Sequence, residues 1–302
     1  MRTVQPPTLE DVRAAAARIR PLLGPTPQVE SPELGASLKL EIFQPTGSFK
    51  VRGAAAALTA LGPGECVVAA SAGNHGLAVA WAAAQLGIEA TVVVAKTASP
   101  VKIEAISRFP ATLVLHGEDY DAAEAHALSL EGRYVSPYND RGVIAGAGTI
   151  ALELDDAETI VVPVGGGGLA AGVCLAVPAA VRVIGVVAEA SPAMRAAVEA
   201  GHVVAVEVRE TLADGLAGNI EAGSVTVGLC ARRLEEVVAV SEAELAEAMR
   251  FLVREHGLVA EGSGAAAIAA LLAGRVRPRG PTVALVTGRN VTAQALARVL
   301  AG

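Results

Sequence analysis

Lys50 is the side chain with the most chemistry to offer and the least comfortable position. It stands in Gln44-Pro45-Thr46-Gly47-Ser48-Phe49-Lys50-Val51-Arg52-Gly53. Pro45 and Gly47 belong to a turn, Ser48 is a preferred helix N-cap, and the run Ala54 to Ala57 is a strong helix former. Lys50 therefore falls in the first turn of an alanine-rich helix, beside the positive end of its dipole, where an ammonium group is unfavourable. Desolvation at such a place lowers a lysine pKa and makes the amine a usable nucleophile and base. A surface lysine that snorkels out of the helix start is the plain competing reading.

Three more stretches could work with that amine. Gly165-Gly166-Gly167-Gly168 lies between an apolar strand and a helix, so its backbone N–H groups can converge on an anion such as a phosphate. Gly165, Gly167 and Ala170, with Glu189 near the end of the next strand, also fit a dinucleotide fingerprint. A nicotinamide-linked oxidoreductase is therefore a competing reading, although the loop lies in mid-chain and the fingerprint leaves Lys50 unexplained. Ser71-Ala72-Gly73-Asn74-His75-Gly76 joins another strand to a helix and suits a carboxylate or a ring hydroxyl. It can equally be a capped turn with His75 in the core. Thr287-Gly288-Arg289-Asn290 follows the last apolar strand and puts a hydroxyl where α/β folds bind ligands. The five histidines show no metal-ligand spacing, and no Gly-x-Ser-x-Gly elbow is present.

The elements that must position these residues follow from hydrophobic patterning. A capped amphipathic helix is expected from Thr8 to about Leu23, and a strand from Ser37 to Phe43 leading into the lysine turn. Short apolar strands at 66–70, 90–95, 111–115, 159–164, 182–188 and 282–286 then alternate with helical spans of about 10 to 15 residues. That alternation predicts an α/β chain of two open, mostly parallel twisted sheets flanked by helices. Residues 1–62 and 139–302 are expected to form a large domain, with 63–138 inserted as a small one.

Composition narrows the partners. The chain has 302 residues, 52% hydrophobic but only 3% aromatic, so its core must be built from Ala, Val and Leu. With 24 basic against 31 acidic residues and no basic cluster, nucleic acid and anionic membrane are poor partners. Cys66, Cys174 and Cys230 read as buried thiols in a reducing compartment. Met1 to Pro7 lacks a leader pattern, and the uncharged run Thr159 to Val181 is broken by Pro163, the glycines and Pro178. A cytoplasmic protein is expected.

Together the four stretches resemble the fold-type II pyridoxal-phosphate enzymes, specifically the threonine/serine dehydratase and serine racemase group, over nearly the whole chain. Val143-Ile144-Ala145-Gly146-Ala147-Gly148-Thr149 is similar to a further helix start of that group. The resemblance implies pyridoxal 5′-phosphate as cofactor and Lys50 as its Schiff-base lysine and as the base at Cα. Phe49 would pack against the ring, Asn74 would bond its 3′-hydroxyl, and Thr287 would face its pyridine nitrogen. Gly165, Gly166, Gly167, Gly168 and Leu169 would hold the phosphate. Ser71, Ala72, Gly73, Asn74 and His75 would form the substrate-carboxylate loop. The implied reaction is β-elimination of water from L-threonine or L-serine, giving a 2-oxo acid and ammonia. The expected partners are the amino-acid substrate and a second copy of the chain.

Departures from the group's pattern refine this. Racemases of the group carry a second serine where this chain has Ala72, which has no proton to deliver, so elimination without efficient racemisation is expected. Several relatives bind a divalent cation through a glutamate and an aspartate six positions on. Glu189 matches the first, but Arg195 replaces the second, so no metal is expected. Arg289 stands where many relatives have glycine, Arg141 where many have proline, and Ala147 where many have glutamine. Arg289 could recognise an anionic side chain, as in 3-hydroxyaspartate dehydration. The same scaffold also accommodates a serine or aspartate racemase, a replacement enzyme, an ammonia-lyase for another unusual amino acid, or a binding protein without activity.

Overall fold

A computed structural model describes residues 3–302; Met1 and Arg2, which begin the segment read as lacking a leader, lie outside the described residues. In chain order the strands are β1 (Gln28–Ser31), β2 (Ala36–Leu40), β3 (Val67–Ala70), β4 (Ala90–Val94) and β5 (Thr112–Leu115). They continue with β6 (Arg133–Tyr134), β7 (Thr159–Pro163), β8 (Arg182–Ala188), β9 (Glu236–Val240) and β10 (Thr282–Val286). Six of them form one sheet in the order β1-β2-β10-β7-β8-β9, and the remaining four a second sheet in the order β5-β4-β3-β6. Every pairing is parallel except β1 with β2.

Parallel strands covered by helices on both faces need apolar side chains on both faces, and β7 and β10 are buried at every position. The two-residue period divides them. Val161, Ala284 and Val286 join a core with the helices Glu242–His256 and Gly262–Leu272. Ile160, Val162, Val283 and Leu285 join one with the helix Gly168–Ala176. A third core packs the alanines of helix Lys50–Leu58 against helices Asn74–Leu86 and Arg141–Gly148, so side chains no larger than methyl let these three helices approach closely.

A few elements differ from the pattern. The strand expected through Phe43 ends at Leu40 and turns into a short 3₁₀ helix. The edge strands β1 and β9 and the helix Val225–Arg233 have no counterpart in the hydrophobic pattern. β1 is short and polar, and β9 follows Arg232-Arg233-Leu234-Glu235 and keeps one face half-exposed, so neither shows the apolar run of a buried strand. Ser48 does not cap the lysine helix. Phe49 takes the N-cap position with helical backbone angles, and the Ser48 hydroxyl is buried without a hydrogen-bond partner. Cys174 and Cys230 are buried, but Cys66 is only half-buried.

A buried charge cluster fixes the start of the lysine helix. Arg52, 2% exposed, reaches both oxygens of Glu41 at 2.8 Å and both oxygens of Glu153 at 2.5 and 2.8 Å. Lys39 Nζ adds a bond of 2.7 Å to Glu153. Burial opposes the Arg52 charge, but Glu41 and then Glu153 overcome it and hold the guanidinium above its ordinary pKa. Burial likewise works against the Glu153 charge, yet Arg52 and Lys39 keep its carboxyl below the usual carboxylate range. Removing one member of such a cluster leaves uncompensated buried charge. Arg52→Ala is expected to lower unfolding free energy by about 3–5 kcal/mol in urea denaturation. A midpoint equal to that of the unsubstituted protein would contradict this role.

Candidate active site

Lys50 opens its helix at the C-terminal edge of the larger sheet, held there by main-chain bonds to the turn after β10. Phe49 N–H donates to Thr287 O at 3.0 Å, Arg289 N–H donates to Gly47 O at 2.9 Å, and Ser48 bridges Gly288. Four lysines occur in the chain, and three of them pair with carboxylates: Lys39 with Glu153, Lys96 with Glu118 and Lys102 with Asp214. Lys50 instead donates to the main-chain carbonyl of Pro137 at 2.8 Å and lies 5.3 Å from the Phe49 ring centroid. The residue as a whole is half-buried, but its amine end is enclosed. Burial pulls its pKa down to about 8, partly offset by the Glu261 carboxylate.

Beyond Pro137, the Tyr138 ring lies against the glycine loop, where a methyl group on Gly166 would collide with it. Gly167, with φ of +86°, supplies the left-handed turn from which helix Gly168–Ala176 starts. Leu169 sends its side chain into the core, so only its main chain faces the loop. Among the described residues, no backbone N–H from Gly165 to Ala170 has a protein acceptor. Unpartnered donors in succession at a helix N-terminus make an anion cradle.

The Ser71–Gly76 loop follows β3 and starts helix Asn74–Leu86. The Ser71 hydroxyl accepts from Gly73 N–H at 3.1 Å. Among the described residues, the main-chain N–H groups of Ala72, Asn74, His75 and Gly76 have no protein acceptor. The ring of His75 is engaged within the protein on one side. It is buried, its Nε2 bonds Val135 O at 2.8 Å, and its Nδ1 has no partner. Burial, reinforced by the Lys50 charge, brings its pKa to about 3, so the ring is neutral. Thr287 is 3% exposed, and its hydroxyl donates to Ser263 O at a long 3.5 Å.

Glu261, Pro137 and Tyr138 are not among the residues expected at the site from sequence, and Asn290 stands in the Thr287–Asn290 turn without a role of its own there. Asn74 Nδ2 donates to Glu261 Oε1 at 2.7 Å, and Asn290 Nδ2 donates to Asn74 Oδ1 at 2.6 Å. Burial, with Asp214 adding to it, raises the Glu261 carboxyl to about 7, although the Asn74 bond pulls the opposite way. Glu261 stands just before Gly262-Ser263-Gly264, a glycine-bearing helix start that could have signalled it.

The remaining charged positions lie apart. Glu189 is exposed, with Arg275 at 3.9 Å, and Arg195 pairs with Glu199 at 3.0 Å. Among the described residues, no three metal-ligating side chains cluster. Arg141 pairs with Asp11 at 2.9 Å on the surface, Ala147 is buried, and Arg289 is exposed.

An enclosed, unpaired amine, an anion cradle across Pro137–Tyr138, and the buried, unpartnered hydroxyls of Thr46 and Ser48 fit a phosphorylated carbonyl compound that bonds to lysine. Known proteins agree with that chemistry. The family described as pyridoxal-phosphate dependent enzyme matches residues 19–288. The L-threonine ammonia-lyase of Thermotoga maritima is 40% identical over 97% of this chain and 78% of its own length. The solved structure of the processed form of threonine deaminase isoform 2 from Solanum lycopersicum superposes with a TM-score of 0.90 at 30% identity, over 99% of this chain and 97% of that one. Maize serine racemase gives a TM-score of 0.91 at 27% identity, over 98% of both chains.

In the cofactor-free protein, labelling of Lys50 by an amine reagent, followed by peptide mass spectrometry, should be half-maximal near pH 8. A midpoint at the ordinary lysine value of 10.5 would contradict the enclosure of its amine.

Proposed function

The chain belongs to the pyridoxal-phosphate dependent enzyme family, and we propose that it removes water and ammonia from L-threonine or L-serine to give the 2-oxo acid. The observation that carries this reading is the enclosed Lys50 amine beside an anion cradle, with a methyl group, Ala72, where the racemases of the group carry a serine. Water lost from Cα and Cβ is balanced by water taken up as ammonia leaves.

Bound here, the cofactor supplies a conjugated electron sink for the pair left on Cα when its proton departs. The chain's own residues do the rest. Lys50 Nζ takes the Cα proton. Enclosure makes the neutral amine available from about pH 8 upward, and Pro137 O orients it. The N–H groups of Gly165 to Ala170 hold the phosphate at the positive end of their helix. Those of Ala72, Asn74, His75 and Gly76 hold the substrate carboxylate, and Phe49 would pack against the cofactor ring. Asn74 would hold the ring hydroxyl and Thr287 the ring nitrogen of the bound cofactor. A neutral hydroxyl contributes about 0.5–1.5 kcal/mol, less than a charged partner, and does not keep a proton on that nitrogen. Charge is then less delocalised, and loss of the β-hydroxyl competes well with reprotonation at Cα.

We further assign residues 1–62 and 139–302 to a large domain and 63–138 to a small one. A cytoplasmic homodimer that contacts neither nucleic acid nor membrane accords with the charge balance. Among the described residues, no helix is long and apolar enough to cross a membrane. A second reading, dehydration of 3-hydroxyaspartate, rests on Arg289, an exposed guanidinium without an ion-pair partner among the described residues, in the turn after Thr287.

A substrate panel scored by 2-oxo acid formation tests both readings. L-Threonine and L-serine should be turned over, and Mg²⁺ added after chelation should leave the rate unchanged. Preference for 3-hydroxyaspartate, lost in Arg289→Gly, would favour the second. D-Serine forming faster than pyruvate from L-serine would overturn elimination. Lys50→Ala should abolish turnover while the cofactor still binds non-covalently; residual turnover would remove Lys50 from its role.

A further inference from the structure

Glu261 is a buried carboxyl that the reaction as described does not use, yet its charge acts on Lys50. It occupies the N-cap position of helix Gly262–Leu272 without spending its side chain on that helix's N–H groups. Its Oε1 accepts instead from Asn74 Nδ2 at 2.7 Å. Gly288 makes this approach possible, because a methyl group there would collide with Oε1.

The Asn74 amide is consequently held on two sides by groups of opposite character. Asn290 Nδ2 donates to Asn74 Oδ1 at 2.6 Å and to Thr46 O at 2.8 Å, so both of its own N–H groups are engaged. Glu261 takes one of the two hydrogens on Asn74 Nδ2. An amide nitrogen carries two donors, and the second is left without a protein acceptor among the described residues. Rotating the amide by half a turn would set Nδ2 against the Asn290 donor and Oδ1 against the Glu261 acceptor, which both neighbours oppose.

We propose that Glu261 is a positioning residue that locks the Asn74 amide so that its remaining N–H is presented to the ring oxygen of pyridoxal phosphate. The proposal rests on the assignment of Asn74 to that oxygen. A donor at the ring oxygen favours its ionised form, so the absorption band of the bound cofactor reports whether the donor is in place. Toward the ring oxygen Glu261 acts through Asn74, so for the absorption band the two side chains should be non-additive.

The experiment compares Asn74→Ala, Glu261→Met and the double variant, each loaded with pyridoxal phosphate. The readouts are the cofactor's absorption band and its dissociation constant. Both single variants should shift the band in the same direction and weaken binding about three- to tenfold, the range of one hydrogen bond, and the double variant should be no worse than Asn74→Ala. If Glu261→Met does not fold, Glu261→Asp provides the same comparison, since its shorter side chain withdraws the acceptor from Asn74. An unmoved band in Asn74→Ala would refute the assignment of Asn74 and the inference with it. A band shifted by Asn74→Ala but unmoved by the Glu261 variant, or additive losses in the double variant, would overturn the role of Glu261 alone.

Discussion

Holding an unpaired amine away from water at the start of a helix is unfavourable, and the structure around Lys50 is arranged to hold it there. No carboxylate lies within ion-pair distance of it among the described residues, whereas each of the remaining three lysines has one. The Pro137 carbonyl accepts its hydrogen bond without neutralising its charge. Two residues further along the same helix, Arg52 shows the opposite treatment, with two carboxylates closing around a cation that stays ionised. One helix start therefore carries one cation anchored for folding and one left poised for chemistry.

Parallel topology supplies the second half of the site. Every strand that feeds it, β3, β7 and β10, delivers its loop at its C-terminal edge, and helices begin directly after the first two. Two helix starts therefore each leave a run of N–H groups without a protein acceptor among the described residues, as an anion site requires. The turn after β10 joins by main-chain bonds to the lysine turn, which fixes Thr287 relative to Lys50 without requiring either side chain to make the link.

Much of this is legible because it is local. Strand-loop-helix junctions announce themselves through glycine and apolar runs, so the glycine loop, the Ser71 loop and most of the succession of strands and helices along the chain can be read from residue types alone. What stays hidden depends on partners distant in sequence. Glu261 is one acid among many until Gly288 and Asn74 are brought to it. Tyr138 sits beside a proline in an irregular stretch with no periodicity to mark it. The His75 ring looks available because nothing in its own loop shows that Val135 O will take it. Ser48 misleads in the opposite direction: its type favours capping, but the main-chain bridge to Gly288 fixes the backbone ahead of the helix and leaves the hydroxyl unused. β9 is masked because charge flanks an edge strand.

The central claim is that one lysine of four carries the cofactor. Borohydride reduction of the pyridoxal-phosphate-loaded protein, followed by proteolysis and mass mapping, tests it directly. The account requires the visible band to disappear and the pyridoxyl label to appear on Lys50. A label on Lys39, Lys96 or Lys102, or no label at all, would contradict it.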